Sequence, residues 1–145
     1  MAKVKHHEAY VHRAPTREDL QRLARIQDPS GNAVSFYFKP GPGNLAERDS
    51  VIVNLRARDI ISNSFAGEKP NCSLIRDLDD VLQISEECTA EQSPLRVVFA
   101  CRNQGIWEEF ELPSSVARLV RLEVGRQFDL APLMRLLQAG QTSTH

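Results

Sequence analysis

Leu95-Arg-Val-Val-Phe-Ala-Cys101, then Arg102-Asn-Gln-Gly105, then Ile106-Trp-Glu-Glu-Phe-Glu-Leu112, is the stretch that decides the fold class. Leu95, Val97, Phe99 and Cys101 alternate along one face of an extended segment, as the two-residue period of a strand requires. Val98 and Ala100 make the opposite face apolar as well. A strand apolar on both faces belongs inside a sheet covered on both sides. Asn103 and Gly105 suit the positive φ of a tight turn, so the second run folds back as the partner of a hairpin. In that second run Ile106, Glu108, Phe110 and Leu112 alternate against Trp107, Glu109 and Glu111.

Outward from the hairpin, Val120, Leu122 and Val124 predict a fourth short strand, and Leu130 to Leu137 a final helix. Upstream, Ala33-Val-Ser-Phe-Tyr-Phe38 is β-branched and aromatic and bounded by turn residues, which predicts the first strand. Thr16-Arg-Glu-Asp19 has the look of a capped helix start, with Leu20, Leu23, Ala24 and Ile26 as its apolar stripe. Asp28-Pro-Ser-Gly-Asn32 ends it. Two further helices fill the middle of the chain. Val53, Ala57, Ile60, Ile61 and Phe65 mark the first, within 49–65, and Leu74, Leu78, Val81, Leu82 and Ser85 mark the second. The expectation is an α/β (α+β) domain: a mixed four-stranded sheet with helices packed on it, in the order α-β-α-α-β-β-β-α. Residues 1–14 are read as a flexible N-terminal arm, 15–140 as one domain and 141–145 as a polar tail.

At 145 residues the chain suits a single core, and 41% hydrophobic with 26% charged residues are the shares of an ordinary globular domain. A formal net charge of −1 provides no global field toward nucleic acid or anionic membrane, so any RNA contact must be a local patch. The three cysteines, Cys72, Cys88 and Cys101, have no C-x-x-C spacing, which predicts neither disulfide framework nor zinc site and suits a reducing cytoplasm. There is no signal-peptide pattern and no apolar run long enough for a membrane span.

Few constellations point to catalysis. Pro40-Gly-Pro-Gly43 lies between a strand and a helix, but it lacks the spacing of phosphate-binding loops and reads as a rigid turn. His6, His7 and His12 sit with Glu8 on the arm, where no rigid frame holds them as metal ligands. No histidine lies between His12 and His145, so the core lacks the usual base for a nucleophile, and Cys101 reads as a small core residue. Asp77, Asp79 and Asp80, and Glu108, Glu109 and Glu111, are expected on solvated faces. Arg118, Arg121, Arg126 and Arg135, with Arg48, Arg56 and Arg58, are the candidates for phosphate contact among interspersed acids. No enzyme activity, cofactor or metal is expected.

The hairpin, continued through Leu122-Glu-Val-Gly-Arg-Gln-Phe-Asp-Leu-Ala-Pro-Leu-Met-Arg-Leu-Leu137, resembles the close of domain 1 of archaeal/eukaryotic-type class 1 peptide chain release factors. It is most similar to their divergent bacterial relatives, which share the T-R-E-D-L-x-x-L opening (here Thr16–Leu23) and the V-S-x-Y strand (Val34–Tyr37). The resemblance implies a domain acting in translation at the ribosome, in rescue, hibernation or termination. It does not carry over the family's chemistry. The T-A-S-N-I-K-S codon reader corresponds to Ala66-Gly-Glu-Lys-Pro-Asn-Cys72, which keeps Lys69. The Y-x-C-x-x-x-F reader corresponds to Leu122–Phe128, of which only Phe128 matches. Leu and Val cannot donate hydrogen bonds to bases, so stop-codon reading of that kind is not expected. No peptide-releasing Gly-Gly-Gln occurs. Glu68, Lys69, Asn71, Arg126 and Phe128 are the residues implied for contact with the ribosome or rRNA. A longer parent protein could supply the missing parts. The alternative is a protein-interaction or scaffold module of the same fold without RNA binding.

Overall fold

Strand β1 (Ala33–Lys39) is the organising element, because its two faces are apolar in different ways. Val34, Phe36 and Phe38 point to one side of the sheet and Ala33 and Tyr37 to the other, all fully buried. In this computed structural model, which describes residues 13–41, 45–65, 72–87, 94–112 and 118–143, β1 pairs with both β2 (Leu95–Cys101) and β4 (Leu119–Gly125). Strand β3 (Ile106–Leu112) pairs with β2, so the sheet runs β3-β2-β1-β4.

The α+β class holds, but the sheet is antiparallel at every pairing rather than mixed. The reason lies in the connection between β1 and β2. A single crossover helix would return the chain to the starting end and give a parallel neighbour. Here two helices intervene, α2 (Leu45–Phe65) and α3 (Cys72–Glu87), running out and back. Ser50 Oγ lies 3.3 Å from Ser85 Oγ, which sets the start of one helix beside the end of the other. The chain therefore enters β2 at the end where it left β1.

Helices α2 and α3 cover one face of the sheet. Val53 and Ala57 of α2 and Leu74, Leu78, Val81 and Ile84 of α3 meet Phe36, Phe38, Val98, Ala100, Trp107 and Leu122. The other face is covered by α1 (Arg17–Ala24) and α4 (Ala131–Ser143), through Leu23, Leu133, Leu130 and Phe128 against Tyr37, Val97, Phe99 and Phe110. Full burial of each such side chain contributes roughly 1.5–3 kcal/mol, and the aromatic edge contacts of Phe99 with Tyr37 and Phe128 add to this. The inner strand β2 is covered on both sides, as its composition requires.

Local signals behave as their chemistry predicts. Thr16 caps α1: its Oγ1 accepts from the Asp19 N–H at 3.2 Å, and the Asp19 carboxylate accepts from the Thr16 N–H at 2.8 Å. At the hairpin turn only Gly105 takes a positive φ, 70°, because residues 102–104 form one turn of 3-10 helix. The two ends of the chain differ from expectation where they are described. Arg13 is held rather than loose: its carbonyl accepts from the Glu111 N–H, and its guanidinium pairs with Asp19 at 2.6 Å and lies over Phe110. It thereby shields the outer edge of β3. Residues 1–12 lie outside the described residues. Helix α4 continues to Ser143, into the segment read as a tail. No helix among the described residues is long and apolar enough to cross a membrane.

Candidate functional site

One end of the sheet gathers most of the polar chemistry. The register places Ala33, Gly125, Cys101 and Ile106 together at this end. Asp28, at the exit of α1, binds across it. Its carboxylate accepts from the N–H of Asn32 at 2.9 Å, from Asn103 Nδ2 at 3.2 Å and from the Cys101 thiol at 3.5 Å. Its own N–H donates to the Arg126 carbonyl at 2.8 Å. Burial opposes ionisation of Asp28, but the donors from Asn32, Asn103 and Ser30 prevail and hold its carboxyl below the usual range. Burial and the neighbouring Asp28 charge push the Cys101 thiol up to about 12, so Cys101 is a protonated structural donor, as the sequence suggested, and not a nucleophile.

Beside it, α3 lays Asp77 and Asp80 over the hairpin turn. Asp77 accepts from the Arg102 N–H at 2.8 Å, and Arg102 Nη2 donates to Asp80 at 2.9 Å. Both aspartates are buried, which corrects the solvated-face reading of these residues. The covered arc of α3 is wider than its leucine stripe, and buried Ile84 lies on the same strip as Asp77 and Asp80. That residue is the signal in the sequence that could have revealed them. Desolvation dominates at Asp77 and pushes its carboxyl up to about 6, against the Arg102 contacts and with the help of the Asp80 charge. Glu109 is corrected in the same way: it is buried, and its carboxylate accepts from Trp107 Nε1 at 2.9 Å. Glu108 and Glu111 are only partly covered, and Glu108 forms an ion pair with Arg22.

The residues singled out for RNA contact fall into three groups. Glu68, Lys69 and Asn71 lie outside the described residues. The helix termini that flank them, the C-terminus of α2 and the N-terminus of α3, belong to this same end of the sheet. Arg126 follows β4 directly and is exposed here. Phe128 is buried, with its ring 5.4 Å from that of Phe99, so its packing role in the core accounts for its position. Arg76, which the sequence reading did not single out, is exposed on the first turns of α3, one residue before Asp77. Its helix position was legible, but its place at the same end of the sheet as Arg126 depends on the pairing of distant strands.

The other arginines are largely engaged within the fold. Arg118 grips Asp49 with Nη2 at 2.6 Å and Nε at 2.9 Å, Arg121 binds Asp129 at 2.6 Å, and Arg56 reaches the Leu122 carbonyl and Glu123. Arg48, Arg58 and Arg135 are exposed. Among the described residues no group of His, Cys, Asp and Glu has the arrangement of a metal site.

Comparison with known proteins places the fold and stops there. No family model matches the chain, and no curated protein matches it. Three chains of solved structures do match. One, described as "Archaeal protein", superposes with a TM-score of 0.61 over 86% of this chain at 17% identity. The match spans 36% of that longer chain. At this identity the likeness concerns the fold alone.

Proposed function

We propose that the chain is a release-factor-like module that docks on the ribosome through the Cys101 end of its sheet, in the cytoplasm and without peptide release of its own. The observation that carries this reading is a convergence. The helix termini flanking Glu68, Lys69 and Asn71 share one end with exposed Arg76 and Arg126, on a base stiffened by Asp28, Asn103 and Asp77. Arginines on a rigid base suit contact with backbone phosphates, which need position more than flexibility. The missing codon-reading groups, Leu122 and Val124 in place of Tyr and Cys, favour rescue or hibernation over codon recognition. A longer parent protein would supply a releasing domain.

Co-sedimentation of the purified chain with ribosomes tests this reading. Binding is expected at low salt, and three phosphate contacts would give a slope of about −2 in log affinity against log salt. Lys69→Glu with Arg126→Glu should abolish pelleting. Absence of the chain from the ribosome pellet at low salt would sink the proposal.

A second reading, a protein-interaction module without RNA binding, draws support from the internal pairing of Arg56, Arg118 and Arg121. These pairs remove cations that a nucleic-acid surface would use. Recovery of a stable protein partner with ribosomes absent would select it.

A further inference from the structure

Helix α2 has a second apolar surface that the fold does not use. Its inner side, Val53 and Ala57, is buried against the sheet and α3, yet Val51, Ile52 and Leu55 on the outer side are 56%, 47% and 59% exposed. A helix packed on one layer needs one apolar stripe, not two. Scattered exposed leucines require no explanation, but these three are adjacent on one helix face. Along that face Arg48, Ile52, Leu55, Asp59 and Ser62 are all exposed and recur at alternating steps of four and three, the seam spacing of paired helices.

We propose that this face is covered by α2 of a second copy of the chain, in an antiparallel pair about a twofold axis. An axis at the level between Val53 and Asn54 sets Ile52 against Leu55 of the second copy, and Leu55 against its Ile52. The same register sets Arg48 opposite Asp59 of the second copy, and the symmetry makes that pair twice. Glu47 and Arg58, both exposed on one flank of the stripe, meet in the same way. Parallel pairing would instead set Arg48 on Arg48 and Asp59 on Asp59, so charge selects the antiparallel arrangement. Arg56 is turned to the Leu122 carbonyl at 3.1 Å and lies 3.6 Å from Asp59, so Asp59 is shared between Arg56 of its own chain and Arg48 of the second copy. One helix face is smaller than the roughly 800 Å² per partner of a standard interface, so the pair is a reversible dimer. This inference holds with either functional reading, since Arg48, Ile52, Leu55 and Asp59 are not among the residues invoked for ribosome contact.

Sedimentation velocity of the full chain over a wide concentration range tests it. The mass is expected to rise from 16.3 kDa toward twice that value. Leu55→Glu should weaken dimerisation by ~100-fold or more, because it faces a charge with an apolar seam. Arg48→Asp and Asp59→Arg should each weaken it about 10-fold, and their combination should restore it to within about 3-fold. All three positions are exposed, and circular dichroism of each variant verifies the fold. A chain that stays monomeric at every concentration overturns the proposal, as does a dimer indifferent to Leu55→Glu. Failure of the combined variant to restore association overturns the antiparallel register. A different protein captured on this face by a monomeric chain overturns the choice of occupant.

Discussion

Asp49 and Asp77 sit at opposite ends of the sheet, are both 2% exposed, and both face an arginine, yet they titrate in opposite directions. Asp49 is held below the ordinary aspartate range. Burial works against this, but Arg118 donates from two nitrogens, and the Gly41 N–H adds a third donor at 2.8 Å. At Asp77 the nearest guanidinium nitrogen is 3.4 Å away, and the close donor among the described residues is the Arg102 N–H. Desolvation then wins, and its carboxyl rises to about 6. Equal surface exposure therefore does not decide the state of a carboxylate. Asp77 lies deeper in the protein than Asp49, and it also lacks the direct donation from a cation that Asp49 receives.

The largest break in this comparison should come from Arg118→Met, which leaves buried Asp49 with the Gly41 N–H as its remaining donor. Arg118 is half exposed and solvent screens part of the pair, so a loss of about 2–3 kcal/mol is expected in urea unfolding at pH 7. Because the Asp49 carboxyl is depressed, the stability it contributes is present above its unfolded pKa and is lost as pH falls through the folded value. The deficit of the variant should accordingly shrink in acid. A deficit that stays unchanged from pH 7 down to about pH 2 would show that the ion pair is not the source.

Arg102→Met should cost less, roughly 1–2 kcal/mol at pH 7, because the backbone N–H still serves Asp77 and the close guanidinium contact that is lost is the single Nη2 donation to Asp80. A loss as large as that from Arg118 would erase the distinction between the two ends.

Asp77→Asn should have the smallest effect and the opposite sign. With a folded pKa of about 6, above the unfolded one, the proton on Asp77 favours the folded state in acid. That advantage declines as pH rises from about 4 to 6 and is absent above. The amide keeps an acceptor for the Arg102 N–H and carries no charge, so the variant should be more stable than wild type by about 1 kcal/mol at pH 7.5, with no difference near pH 4. A difference that does not vary between pH 4 and 7 would remove Asp77 from the titrating groups.

Much of the architecture was legible in particular residues. Thr16 and Asp19 declare the start of α1 because their capping exchange is complete within four neighbouring residues. Leu95 to Leu112 declares a hairpin because alternation, Gly105 and the return run are all local. The candidate site was less legible. Arg126 could be named from the chain, but that it shares an end of the sheet with Arg76 follows only when β4 pairs with β1 and α3 returns over the hairpin turn.

What the sequence determined by itself was the identity and order of the elements and the two-sided burial of β2, since periodicity and capping act over a turn or a strand. Tertiary structure alone decided the antiparallel sheet, through a helical hairpin that returns the chain to the end it left. It also decided which charges are buried. Asp77, Asp80 and Glu109 follow a polar local pattern, and Phe128 was expected as an RNA contact, but all four are enclosed by residues distant in the chain. Burial and electrostatics depend on those remote neighbours, and periodicity cannot report them.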